Sequence, residues 1–308
     1  MKYPVFLLIE QTERYLCSML FSTNRLSDIK KEAVQQLATL YPEKEAQNVL
    51  NLLIHHLFGL SRVAQQLAAD RRLSESEMLR FIRAFQRLLQ AEPIQYVMGS
   101  VSFCGINIRV NPAVLIPRPE TEELVTRMVS ENEYFNGNVL DVGTGSGCIA
   151  LALKNFWPDS RVTAVDISNE ALAIAAENAS KAGLSVDFKL CNVLDLGSCV
   201  RVLPKKFQLI VSNPPYVLHR EKKKMERHVL NYEPEQALFV NDTDPLLFYR
   251  QIRSLAEKIL DKKGVIYLEL NAATARDAAK LFDTEGFRQV EILKDFRGME
   301  RFLRVYRK

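Results

Sequence analysis

The run Val139-Leu140-Asp141-Val142-Gly143-Thr144-Gly145-Ser146-Gly147-Cys148-Ile149-Ala150 sets an apolar strand against a glycine-rich turn and then a helix. Glycines permit positive φ and let the backbone approach a ligand closely. The amides of the helix's first turn then face that ligand. The dinucleotide fingerprint G-x-G-x-x-G/A starts the same way. Here the third glycine comes one place early, and Cys148 fills the last slot. About twenty residues on, Ala164-Val165-Asp166-Ile167-Ser168 ends a second strand on an acid, placed to accept two ribose hydroxyls. The alternative is that Asp166 caps the helix that begins near Asn169, but the glycine turn at the right distance favours the ribose role.

A third signal is Ile210-Val211-Ser212-Asn213-Pro214-Pro215-Tyr216. Two prolines after a buried strand cannot extend a ladder. They make a rigid turn that fixes Asn213 and the Pro214 carbonyl at the carboxyl edge of the sheet, where open α/β sheets bind ligands. Strands are predicted at 138–142, 161–166, 185–190, 207–212, 264–270, 287–293 and 301–306, with helices between most of them, such as 169–181 and 246–260. That alternation implies a seven-stranded, mostly parallel sheet with helices on both faces. The last two strands are close enough in sequence to pair antiparallel.

Residues 1–92 read as helical. Ser27 or Asp28 is expected to cap one helix, Pro42 to start the next, and Ser74 with Glu77 to form a capping box. Met78, Phe81, Ile82, Phe85 and Leu88 then lie on one face. The adjacent His55 and His56 are expected to pack in a helix, because metal-binding histidines would stand at i, i+4. Glu92-Pro93 marks a boundary. Residues 95–110 alternate around Gly99 and Gly105 and read as a β-hairpin. The expected organisation is therefore a helical domain over 1–92, a hairpin linker over 93–112 and an α/β domain over 113–308.

Composition narrows the class. With 308 residues, 47% hydrophobic and 25% charged, the chain can bury a sizeable core, which excludes disorder. Its net charge of +4 does not demand nucleic acid. The short apolar start Met1–Ile9 runs into Glu10, Glu13 and Arg14, so no signal peptide is expected, and the run 49–60 is too short to cross a bilayer. Five cysteines, Cys17, Cys104, Cys148, Cys191 and Cys199, are odd in number and widely spaced. They are expected to be reduced core thiols of a cytoplasmic protein, with no structural zinc or other metal site.

The glycine turn 143–147 together with Asn213–Tyr216 resembles S-adenosylmethionine-dependent amino methyltransferases, which act on adenine N6 or on glutamine amides. Other segments sharpen the likeness. Val114-Leu115-Ile116-Pro117-Arg118-Pro119-Glu120-Thr121-Glu122-Glu123 resembles the stretch before the nucleotide loop in the HemK/PrmC family of release factor glutamine methyltransferases. Residues 93–99 and 103–105 resemble that family's interdomain hairpin, and Tyr232–Leu238 and Tyr249-Arg250 its segments after the catalytic loop. The likeness spans essentially the whole chain. It implies a Rossmann-like methyltransferase fold with an all-α N-terminal domain. It also implies S-adenosylmethionine as cofactor, S-adenosylhomocysteine as product, and class 1 peptide-chain release factors as partners. The methylated atom would be N5 of the glutamine in their Gly-Gly-Gln motif. The expected enzyme is a monomer with no membrane or nucleic-acid partner.

Carried onto this sequence, the resemblance gives each site residue an expected role. Gly143, Thr144, Gly145, Ser146 and Gly147 approach the methionine part. Asp166 takes the ribose, Ile167 packs on the adenine, and Asn192 and Val193 border it. Arg118, Pro119, Glu120 and Thr121 close the methionine end or meet substrate, although Arg118 suits a structural ion pair equally well. Asn213 and Pro214 accept the two N–H groups of the substrate amide, Pro215 stiffens the turn, and Tyr216 packs against the planar amide or walls the pocket. Three features depart from the family pattern. Asn192 stands where an acid is usual, 194–206 is long, and Glu269-Leu270-Asn271-Ala272 replaces a Glu-His-Gly or Glu-Ile-Gly. The basic run Arg220–His228 is a solvated loop or a docking rim. An adenine-N6 methyltransferase would share both loops, but residues 1–90 carry only 12 Lys and Arg against 9 Asp and Glu and no base-reading motif. An oxidoreductase would leave the Pro-Pro turn unexplained, and a non-catalytic cofactor scaffold would not need Asn213–Tyr216 intact.

Overall fold

The computed structural model describes residues 20–203 and 206–308; Cys17 and the Met1–Ile9 stretch lie outside the described residues. The chain forms two compact units, Met1–Met98 and Gly99–Lys308.

The first unit contains α1 (Leu26–Leu37), α2 (Glu43–Phe58), α3 (Arg62–Leu67), α4 (Glu75–Leu89) and α5 (Ile94–Met98). The capping box on α4 forms as its sequence predicts: the Ser74 hydroxyl accepts from Glu77 N–H, and the Glu77 carboxylate accepts from Ser74 N–H. Its buried face, Met78, Phe81, Ile82, Phe85 and Leu88, meets Leu26, Ile29, Leu50 and Leu53 in one core. Two expectations fail here. α1 starts at Leu26, so Ser27 and Asp28 lie in its first turn and Arg25 holds the cap position. His55 and His56 are exposed in the last turn of α2, where they suit the helix dipole instead of packing.

The second unit opens with the hairpin β1 (Ser100–Phe103) and β2 (Ile106–Arg109). Positive φ at both Cys104 (48°) and Gly105 (77°) makes the two-residue turn that suits twisted strands. The hairpin is shorter than its alternation predicts, because residues 94–98 coil into α5. Then follow α6 (Pro119–Glu131), β3 (Asn138–Val142), α7 (Cys148–Phe156), β4 (Arg161–Asp166), α8 (Asn169–Ala182), β5 (Asp187–Leu190), α9 (Leu196–Val202) and β6 (Phe207–Ser212). After the short β7 (Val217–Leu218) come α10 (Arg227–Tyr232), α11 (Glu235–Leu238), β8 (Phe239–Val240) and α12 (Leu247–Ile259). The unit ends with β9 (Leu260–Glu269), α13 (Ala275–Lys280), β10 (Phe287–Lys294) and β11 (Glu300–Arg307).

The main sheet has seven strands in the order β10-β11-β9-β6-β3-β4-β5. β11 runs antiparallel to both neighbours, and all other pairs are parallel. From β3 the chain winds outward through β4 and β5, then returns to β6 and winds the other way through β9. The direction therefore reverses between β3 and β6, the crevice where such sheets hold ligands.

One cysteine expectation is corrected. Cys191 and Cys199 form a disulfide, with Cα atoms 5.7 Å apart, while Cys104 and Cys148 are free. The spacing of eight hides the pair, but α9 folds back on the end of β5 and brings the thiols within bridging range. That helix also accounts for most of the long 194–206 stretch.

Candidate active site

The carboxyl ends of β3, β4, β5 and β6 converge on one cavity. Gly143 and Gly145 follow β3, Asp166 and Ile167 end β4, Asn192 and Val193 follow β5, and Asn213, Pro214 and Pro215 follow β6; all line it. At Gly143 (φ +74°) and Gly145 (φ +54°) an added Cβ would meet nothing within 4 Å, so the loop leaves open space at the cavity wall. Gly147 (φ +82°) differs. Its Cβ would fall 3.0 Å from Ala175 Cβ on α8, so this glycine serves helix packing.

Asp166 is the one carboxylate among the described residues that line the cavity. Its Oδ2 accepts from Gly145 N–H at 2.8 Å and its Oδ1 from Ser168 N–H at 2.9 Å. The helix cap itself comes from Ser168, whose hydroxyl accepts from Ala171 N–H. Around Asp166 the walls are apolar: Val165, Ile167, Leu194 and Phe248. Asn192 Oδ1 accepts from Leu194 N–H in a local turn.

On the opposite side, Asn213 Nδ2 donates to Thr121 Oγ1 at 3.1 Å, and the Thr121 hydroxyl donates to Glu269 at 2.7 Å. The Tyr216 hydroxyl donates to the other oxygen of Glu269 at 2.8 Å. Glu269 is fully buried, and burial raises its carboxyl pKa against the opposing pull of these two donors. Burial, reinforced by the Glu269 charge, raises the Tyr216 phenol well above the usual range. Nearby, Glu233 is buried and accepts from Arg118 Nη2 at 2.6 Å and from Ile116 N–H at 3.3 Å.

Two family models match the chain: the PrmC N-terminal domain over residues 28–99 and the methyltransferase small domain over residues 119–238. A release factor glutamine methyltransferase of Flavobacterium psychrophilum is 38% identical over 284 residues, covering 91% of this chain and 98% of that one. One of Bacteroides thetaiotaomicron is 41% identical over 273 residues, covering 89% and 97%. Another, of Streptococcus pneumoniae, is 37% identical over 281 residues, covering 91% and 96%. This chain belongs to the release factor glutamine methyltransferase family.

Within this family member, the sequence-predicted residues divide into two groups. Gly143, Gly145, Asp166, Ile167, Asn192, Val193, Asn213, Pro214 and Pro215 line the cavity. Thr144, Ser146, Gly147, Tyr216, Arg118, Pro119, Glu120 and Thr121 do not. Tyr216, expected against the substrate amide or on the pocket wall, packs against the core with its hydroxyl on Glu269. Arg118 takes the ion-pair alternative through Glu233. Glu120 lies 3.9 Å from Arg297.

Sequence reasoning missed three residues around the site. Asp141 sits buried beneath the glycine turn; Thr144 Oγ1 donates to its Oδ2, Oδ1 has no partner, and burial pushes its pKa up to about 7. Its place at the end of the first strand was the available signal. In the sequence Glu269 stands out only as part of an atypical segment. Asn178 is a buried hub that bonds the backbone of Arg109 and Ser146, which no local pattern announces.

Proposed function

We propose that this protein transfers the methyl group of S-adenosylmethionine to the side-chain amide nitrogen, N5, of the glutamine in the Gly-Gly-Gln motif of class 1 peptide-chain release factors. The observation that carries this reading is the placement of Asn213 and Pro214 on the wall of a cavity that also contains the glycine turn and Asp166.

The residues fit the cofactor. Gly143 and Gly145 leave room for its methionine end, Asp166 has lone pairs left for ribose hydroxyls, and Ile167 offers an apolar surface to the adenine. Asn192 borders that ring through the remaining lone pair of Oδ1 or through Nδ2. Bound there, the cofactor supplies an electrophilic methyl carbon on its sulfonium. Asn213 Oδ1 and the Pro214 carbonyl would accept the two N–H groups of the glutamine amide and so orient its nitrogen within the cavity for methyl transfer. They also stabilise the positive charge that develops on nitrogen. Pro215 keeps the turn rigid. The substrate acts at the ribosome, which places the reaction in the cytoplasm. The enzyme works there as a monomer, without a direct nucleic-acid substrate. No helix among the described residues is long and apolar enough to cross a membrane.

The test is transfer of labelled methyl to purified release factor, with the Gly-Gly-Gln glutamine intact or replaced, by wild-type enzyme and Asn213→Ala. Label should require the glutamine, and Asn213→Ala should lower kcat roughly 10²–10³-fold. Label on DNA and none on the release factor would overturn the reading in favour of adenine.

A further inference from the structure

The relay behind Asn213 has a defined direction. Glu269 stands at the end of β9, one residue past Leu268, which pairs with Ser212 on the neighbouring strand β6. This register puts Glu269 beside the turn that carries Asn213. Thr121 enters from the first turn of α6 and bridges the two. A threonine hydroxyl has one hydrogen, and the hydroxyl of Thr121 points it at Glu269. Thr121 spends its hydrogen on Glu269, so its oxygen must accept from Asn213. The amide nitrogen of Asn213 is thereby committed to Thr121, and its oxygen is left for the cavity that Asn213 lines. The Tyr216 hydroxyl occupies the second oxygen of Glu269, and the Tyr249 hydroxyl donates to its backbone carbonyl at 3.2 Å. Asn271 Nδ2 holds the carbonyl of Tyr216 at 3.1 Å, so the atypical Leu270-Asn271 also fastens the turn.

We infer that Glu269 is a positioning residue: acting through Thr121, it orients the Asn213 amide so that an acceptor and not a donor meets the substrate nitrogen. The inference rests on the proposed glutamine methylation, because only an N–H substrate requires an acceptor there. An asparagine is nearly symmetric in shape, and a flipped side chain would aim its own N–H groups at those of the substrate. Glu269, fully buried and without a cavity face, sets this orientation without touching substrate.

The experiment measures methyl transfer to a release factor, and cofactor affinity by calorimetry, for wild type, Glu269→Gln, Thr121→Val and Thr121→Ser. Glutamine at 269 brings a donor into the relay, and valine at 121 removes the link without changing shape. Each should lower kcat about 10- to 100-fold. KM for the release factor and Kd for S-adenosylmethionine should stay within about threefold, and Thr121→Ser should recover most of kcat. Either of two results would overturn the inference: kcat of Thr121→Val close to wild type, or loss of kcat and cofactor affinity together with no rescue by serine. Wild-type enzyme that labels no release factor would instead refute the proposed reaction itself.

Discussion

Two glycines of one turn should fail in different ways when each becomes alanine. At Gly147 the backbone is left-handed, which costs an ordinary residue about 1–2 kcal/mol. The new methyl group would also lie 3.0 Å from Ala175 Cβ and 3.3 Å from its Cα, both in the packed face of α8. Overpacking of this kind costs about 1–3 kcal/mol. Gly147→Ala should therefore lose about 2–5 kcal/mol in urea unfolding, while the folded fraction keeps its cofactor affinity. Gly143→Ala carries only the left-handed strain, about 1–2 kcal/mol, because its methyl group meets nothing. That methyl group takes up space at the cavity wall, so calorimetry should show S-adenosylmethionine binding at least about tenfold weaker, or 1.4 kcal/mol. Adding Ala175→Gly should recover the overpacking part of Gly147→Ala, beyond what Ala175→Gly does alone. The reasoning is refuted if the two variants are equally stable and bind alike, or if the Gly147–Ala175 cycle shows no coupling.

Two other predictions concern buried acids and thiols. The folded pKa of Asp141, about 7, lies above its unfolded value, so the group stabilises the fold at low pH. That contribution is lost as pH rises from about 4 through about 7. Urea midpoints between those values should fall in wild type relative to Asp141→Asn, and parallel curves would contradict the assignment. Unfolded without reductant, Cys104 and Cys148 should react with a labelling reagent while Cys191 and Cys199 do not, and all four should react after reduction. Labelling of Cys191 and Cys199 before reduction would show that the pair is not formed in the protein as isolated.

What the sequence revealed about this molecule follows the range of the interactions. The strand, turn and helix around Gly143–Gly147, the capping box at Ser74 and the parallel strands are encoded within a dozen residues, by periodicity and by glycine. They could be read directly. The segment Ile94–Met98 alternates well enough to mimic a strand, but Ile94, Tyr96 and Val97 are buried from a helix, and tertiary packing overrode the pattern. The site's inner scaffold was less legible still. Thr121 and Glu269 are 148 residues apart in sequence, and only the β6–β9 register and the placement of α6 bring them together. The disulfide spans only eight residues, but no local pattern announces the fold-back of α9 that closes it.

The arrangement of acids also bears on how the substrate loses its proton. A carboxylate base would have to reach the reacting nitrogen. Asp166, the only carboxylate among the described cavity-lining residues, ends β4, two strands from the β6 turn. At roughly 4.8 Å per strand that is about 10 Å away, and both its oxygens already hold backbone amides. Glu269 is nearer, but Thr121 and Tyr216 occupy its oxygens and it does not face the cavity. What remains beside the target are two neutral acceptors, Asn213 Oδ1 and the Pro214 carbonyl. Such a pair cannot take a proton from an amide before attack. It can orient the N–H groups and favour charge growing on nitrogen, after which the N-methylated cation is acidic enough to release its proton to water. The chemistry is therefore set by acceptor geometry instead of base strength, and the buried Glu269 serves that geometry from behind.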